Sequence, residues 1–252
     1  LTLLEEVGVR IEDDGIVRRL LHAGARPGRL AGDIRFPRKM VSDFLSLAPS
    51  AAVLADRAGS ATTVSADSPA CFWTVPCLSI QDEAGVRPVT SDDLAAVARL
   101  ADHLPSVQAV VGTAIGDVPP HRRDFTGLRI IAQHTRKHIR VLCFSSRGME
   151  ALVRMKVLFP GAWFSLGFTA HGPLRWTGLA LSIFEASAGH GIPVTVNGEP
   201  MAGVTGPVSL AGSICVGNAE ILSGIIINQV LEPGRPVIYN LGLAHTFDMR
   251  HA

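Results

Sequence analysis

Residues 193–240, PVTVNGEPMAGVTGPVSLAGSICVGNAEILSGIIINQVLEPGRPVIYN, decide the fold. Pro193-Val194-Thr195-Val196-Asn197 is a short β-branched run, and Pro236-Val237-Ile238-Tyr239-Asn240 is a second one. The apolar stretch 208–231 between them is too long for a strand and reads as a helix. Two short apolar strands joined through a helix imply a parallel pair with a right-handed crossover.

The same unit repeats toward the N-terminus. Thr90-Ser91-Asp92-Asp93 supplies N-cap chemistry for a helix through Leu104, and a strand follows at 107–113. A helix at 124–137 leads to a strand at 139–144, a helix at 147–158 to a strand at 163–168, and a helix at 176–190 to the strand at 193–197. Before residue 90, apolar spacing over 1–50 predicts helices, and 51–90 holds short β-rich runs closed by the turn Asp82-Glu83-Ala84-Gly85. The expected organisation is a lead-in over 1–89 and a barrel region over 90–252.

Five strand–helix units suit either an open doubly wound sheet or a closed barrel. No GxGxxG follows the first strand and no GxxxxGK[ST] occurs, so the usual nucleotide-binding signatures of open sheets are missing. The reading is an α/β (β/α)8 TIM barrel, incomplete in this chain, with an N-terminal helical lead-in. A whole barrel takes about 250 residues, so roughly one to three strands are expected beyond Ala252. A start at Leu1 and a stop at Ala252 read as cut ends.

Composition narrows the function classes. With 47% hydrophobic residues in 252, the chain can bury a large core. Lys and Arg number 23 against 22 Asp and Glu, scattered along the chain, which argues against a nucleic-acid partner. The four cysteines form no CxxC pair and suggest a reducing, cytoplasmic setting. Charges, Gly or Pro interrupt the apolar runs, so no membrane span is expected.

In a barrel, reactive groups stand at the carboxyl ends of strands. Those exits hold Thr113, Gly116 and Asp117; Ser145 and Ser146; Thr169 and His171; Asn197 and Glu199; Asn240 and His245. Some of them, such as Ser145, Ser146 and Thr169, would serve equally as caps of the next helix. The loop 197–212, rich in glycine and proline and carrying Glu199 and Thr205, reads as a binding loop. His134 and His138 have metal-pair spacing on a helix, but no Glu lies between them and they precede a strand, at the barrel's bottom. No metal site is expected.

The segment Glu199-Pro200-Met201-Ala202-Gly203-Val204-Thr205-Gly206-Pro207-Val208-Ser209-Leu210-Ala211-Gly212 resembles the trimethylamine methyltransferase family. So do Asn218-Ala219-Glu220-Ile221-Leu222-Ser223-Gly224, Pro233-Gly234-Arg235-Pro236-Val237-Ile238-Tyr239 and Asp248-Met249-Arg250. Earlier segments fit as well: Leu4-Glu5-Glu6-Val7-Gly8-Val9, Leu21-His22-Ala23-Gly24-Ala25, Asp56-Arg57, and Asp82 through Asp93.

The resemblance implies a barrel enzyme that passes a methyl group from a quaternary or tertiary amine to the cobalt of a corrinoid held by a partner protein, with no metal bound directly. It points to the pyrrolysine-free branch, which includes glycine betaine methyltransferases. In a quaternary ammonium the amine is already a leaving group, so the protein must orient and desolvate the methyl group. Glu199, Asn197 and His171 are the catalytic candidates. Asp117, Thr169, Phe168, Arg175, Trp176, Thr205, Tyr239, Asn240 and His245 are the substrate-binding ones, with carboxylates and aromatic faces holding the cation and His171 or Arg175 meeting a betaine carboxylate. A homo-oligomer is left open. The rival readings are a barrel aldolase or lyase, disfavoured by the placing of Lys39, Lys137 and Lys156, and a non-catalytic barrel that binds methylated amines.

Overall fold

The computed structural model describes residues 1–243. Its main sheet has six strands: β1 (Phe72–Trp73), β2 (Val107–Val111), β3 (His138–Val141), β4 (Phe164–Thr169), β5 (Val194–Gly198) and β6 (Val237–Leu241). Their order in the sheet is their order in the chain, and the β1–β2, β2–β3 and β3–β4 pairs are parallel. Helices α1 (Ser91–His103), α2 (Arg123–His134), α3 (Ser146–Lys156), α4 (Gly178–Ala186) and α5 (Leu210–Leu231) alternate with the strands. A doubly wound sheet reverses its strand order at a switch point. This sheet has no reversal, and its single winding is that of a barrel arc.

The chain divides into two compact units, neither of which coincides with a split at residue 90: Leu1–Pro49, Phe168–Gly189 and Thr195 onward form one, Ser50–Gly167 and His190–Val194 the other. Strands β4 and β5 run through both.

In the second unit, α1 starts at a capping box in which Thr90 accepts from the Asp93 backbone and Asp93 accepts from the Thr90 backbone. Ala98, Leu128, Ile131, Met149 and Leu152 bury one face each of α1, α2 and α3. Two antiparallel hairpins, Ala51–Ala55 with Ala61–Ser65 and Ser79–Asp82 with Gly85–Pro88, precede α1.

In the first unit the lead-in is less helical than its spacing predicts. A π-helical turn covers Leu3–Val7 and α-helices cover Asp14–His22 and Arg38–Leu47, but Val9–Ile11 is a strand, antiparallel to Asp33–Arg35 and parallel to Arg175–Trp176. Strands this short carry no periodic signal, and their partner lies far along the chain.

From Ala219 onward helix α5 is buried nearly all round and holds Ile221, Ile226 and Ile227 in the core, while its first turns expose Leu210 and Ile214. It is long and apolar enough to cross a membrane by length and composition alone, which the sequence reading excluded. Yet Glu220, Ser223, Asn228 and Gln229 are also buried along it, as suits the core helix of a folded domain. Its small residues let strands approach: a Cβ on Gly224 would lie 2.5 Å from the Trp176 ring and 2.6 Å from Val196.

Candidate functional site

Alternation along β4, β5 and β6 assigns each side chain to a face. Phe168 stacks on Phe184 of α4 with ring centroids 4.1 Å apart, Val196 lies against Gly224 of α5, and Tyr239 Oη donates to Asn218 Oδ1 of α5 at 3.1 Å. Those three face the helices. Their neighbours Thr169, Asn197 and Asn240 therefore point to the opposite, inner face, at the carboxyl ends of three successive strands.

There the three side chains join. Asn240 Nδ2 donates to Asn197 Oδ1 at 2.7 Å. Asn197 Nδ2 donates to the Phe168 carbonyl at 3.2 Å and to Thr169 Oγ1 at 3.0 Å. The Phe168 carbonyl can only accept, so it fixes which end of the Asn197 amide faces it, and that orientation in turn fixes Asn240. Asn197 is buried and Asn240 exposed, so the network runs from interior to surface. It is neutral throughout, which lets it be buried without the desolvation cost of charge.

Glu199 lies just past β5, exposed, with its Cγ close against Gly242, where an added Cβ would come within 3.3 Å. Its loop is braced from within: Thr205 Oγ1 accepts from the Met201 backbone at 2.9 Å, and Ser213 Oγ donates to the Pro207 carbonyl. His171 is exposed after β4, and its backbone N–H donates to the Arg175 carbonyl at 2.8 Å. His171 and Glu199 thus stand exposed just past strands that are largely buried, and Asn240 stands exposed on the half-buried β6.

Other candidates are placed elsewhere. Trp176 is fully buried, its indole N–H donating to Ser223 Oγ at 2.9 Å, and Phe168 is buried in its stack, so neither offers a face to a ligand on the inner side. Arg175 is bound to Glu12, Nε to Oε1 at 2.8 Å, and ties the lead-in to the loop. Tyr239 turns toward α5. Asp117, in the second unit, accepts from the backbone and hydroxyl of Ser91 at the start of α1, which gives it a helix-terminal role. His245 lies outside the described residues.

His134 closes α2 while His138 opens β3, so no single helix carries them as a pair. His138 is buried between the Ala55 carbonyl and Ser165 Oγ. Lys137 Nζ donates to the carbonyls of Ala101 and Leu104.

Two buried carboxyl groups went unnoticed as site candidates. Asp124 holds the exit of β3, accepting from the Phe144 backbone at 3.0 Å and Ser145 Oγ at 2.9 Å; burial raises its pKa against those hydrogen bonds. Burial, with the Asp124 charge beside it, pushes the Cys143 thiol up to about 12, which leaves a thiol rather than a thiolate. Glu220 is fully buried and accepts from the Leu174 backbone at 2.9 Å, holding the loop that carries His171 and Arg175; burial raises its pKa too. The sequence signal was present for Glu220, the lone carboxylate on an apolar helix, whereas Asp124 opens a mixed helix among arginines and carries no such mark.

Comparison with known proteins agrees with this architecture. A family model described as trimethylamine methyltransferase (MTTB) matches residues 1–251. The trimethylamine methyltransferase MttB of Desulfitobacterium hafniense is 27% identical over 251 residues, covering 95% of this chain and 51% of that protein. The Methanosarcina barkeri MttB is 26% identical over 98% of this chain and 53% of its own length. A glycine betaine methyltransferase of D. hafniense is 45% identical over 67 residues, 27% of this chain and 14% of that protein. A crystal structure of the hydroxylamine MtmB complex superposes with a TM-score of 0.55 at 15% identity, covering 84% of this chain and 48% of that one. The chain spans about half the length of the curated relatives it matches over nearly its whole extent. It belongs to the trimethylamine methyltransferase family.

Proposed function

We propose that this chain forms the amine-binding part of a methyltransferase that moves a methyl group from a quaternary or tertiary methylamine, of the glycine betaine or trimethylamine kind, to the cobalt of a corrinoid carried by a partner protein. Its six-stranded arc would be part of an eight-stranded barrel. The observation that carries this reading is the Thr169–Asn197–Asn240 network on the inner face at three strand ends, in a chain of this family.

The reaction asks little acid–base work of the protein. When bound, the reduced corrinoid supplies the cobalt electron pair that takes the methyl group, while the pair of the broken C–N bond stays on nitrogen. The exposed ends at His171, Glu199 and Asn240 suit an acceptor brought from outside the chain. Asn197, held by three hydrogen bonds, provides a fixed polar wall that orients the substrate. Glu199 supplies the negative charge that draws a cationic amine to that wall.

Calorimetric titration of the full-length protein with glycine betaine, trimethylamine and other methylated amines tests the reading. Saturable binding of one is expected, and failure of all of them to bind would overturn it.

A further inference from the structure

Glu220, the lone carboxylate on α5, is fully buried beneath two loops at the strand ends. Its Oε1 accepts from the Leu174 backbone at 2.9 Å, in the segment 170–176 that follows β4 and carries His171. A Cβ added to Gly172 would lie 3.1 Å from Thr205 Cβ and 3.4 Å from Glu220 Oε1, so this segment rests at once on Glu220 and on the loop 200–206. That second loop begins beside Glu199 and is a closed turn, in which the Met201 carbonyl accepts from the Val204, Thr205 and Gly206 backbones at 3.0, 3.0 and 2.9 Å. Further along α5, Ser223 Oγ accepts from the Trp176 indole and donates to the Glu220 carbonyl at 2.7 Å. The same turn of helix therefore holds the segment 170–176 at its middle and at its end.

The segment needs that hold. Leu174 stands in the left-handed region at φ 51°, a conformation that costs a residue with a Cβ free energy and persists only where its surroundings impose it. Its N–H is taken by Glu220, and its carbonyl accepts from the Arg10 backbone at 2.9 Å. Stability alone does not account for a carboxyl group here. Glu220 Oε2 is buried and has no partner among the described residues, and a single hydrogen bond to a backbone N–H returns less than the burial of a half-satisfied carboxyl group costs.

We infer that Glu220 is a positioning residue for the strand-end site: from beneath, it sets the loop that carries His171 and the loop beside Glu199 in one fixed arrangement. It acts through its acceptor at Leu174 and touches no ligand itself. A carboxamide in its place keeps that acceptor, whereas an apolar side chain of the same length keeps the packing and loses it. Without the acceptor Leu174 relaxes toward ordinary backbone, and His171, three residues before it, shifts with the loop. Because Gly172 packs on Thr205, the turn 201–206 shifts as well. The inference rests on the methylamine reading above for what the site binds and adds the residue that holds the site in shape.

The test is hydrogen exchange read by mass spectrometry on the full-length protein and its Glu220→Met and Glu220→Gln variants, with calorimetric titration of each by glycine betaine and by trimethylamine. Glu220→Met should speed exchange by roughly tenfold in 170–176 and in 200–206 together, while α2 keeps the protection it has in the parent. The same variant should weaken the amine that the parent binds by about tenfold or more, the cost of a small misplacement of positioned groups. Glu220→Gln should match the parent in both measurements, which a role resting on the charge of Glu220 would not allow. Faster exchange confined to 170–176 overturns the joint setting of the two loops. Equal amine affinity in the parent and Met proteins overturns the positioning role, and so does a Gln variant that behaves like Met. If neither amine binds the parent, the methylamine reading fails, and the exchange pattern alone upholds or overturns the hold of Glu220 on the two loops.

Discussion

Asn240 donates to Asn197 across 2.7 Å, joining the ends of β5 and β6 through two side-chain amides on the inner face of the sheet. Asn197 is the centre of this arrangement, since it alone touches Thr169, the Phe168 carbonyl and Asn240.

Replacing Asn197 by Ala should therefore cost both stability and binding. It removes three hydrogen bonds and leaves the buried Phe168 carbonyl without its side-chain partner, for a loss of about 1–3 kcal/mol. Denaturant unfolding checks the stability, and amine titration the affinity. An unaltered unfolding midpoint would mean that the network contributes nothing to the fold.

Glu199→Gln separates charge from structure. Glu199 is exposed, so folding should be unaffected, while affinity for a cationic amine falls roughly two- to fivefold and becomes less sensitive to salt. Unchanged affinity would remove Glu199 from the site.

Glu220 links stability to pH. Burial raises its folded pKa above the ordinary 4.5, so the fold favours the protonated acid. The stabilisation is full at pH below the ordinary value and is lost as pH rises through the folded one. Glu220→Gln keeps an acceptor for the Leu174 N–H but cannot ionise. The stability difference should move in favour of the variant as pH rises above 4.5, measured by denaturant unfolding across that range. A difference independent of pH would show that Glu220 ionises in the fold as readily as in water.

His138 has the opposite sign. Burial drops its pKa from 6.5 to about 4, with the Ala55 carbonyl working against that shift. Unfolding lets the ring take a proton anywhere between those values, so stability falls as pH drops from 6.5 toward 4, by about 3 kcal/mol in all. His138→Gln should flatten this part of the stability profile relative to the parent. The same acid slope in both proteins would contradict a neutral, buried His138.

The strands and helices from Ser91 onward were legible in the sequence because short β-branched runs such as Val194–Val196 alternate with long helical segments. Asn197 was legible as a polar residue closing such a run beside Gly198. The facing of the strands was not. Parallel strands are buried on both sides, so Phe168 and Thr169, or Tyr239 and Asn240, carry no alternation to show which turns to the helices and which to the inner face. That is why Phe168 and Tyr239 were read as pocket walls. The surroundings of Arg175 and Trp176 were hidden for a different reason: their partners Glu12 and Val9–Ile11 lie more than a hundred residues away, and no local pattern shows the pairing. Arg235 stood in a recognisable Pro-Gly-Arg-Pro turn, yet only the fold shows it buried over the Phe184 ring and bonded to Ser187.

The most direct test of methyl transfer is the absorbance of cobalamin reduced to the cobalt(I) state, incubated with the full-length protein and the methylamine it binds best. The account predicts conversion to methylcobalamin with one equivalent of demethylated amine released, abolished when the protein is omitted. An amine that binds saturably yet leaves the cobalt(I) spectrum unchanged, with the cognate corrinoid protein as well as with free cobalamin, would contradict methyl transfer and leave a binding protein in its place.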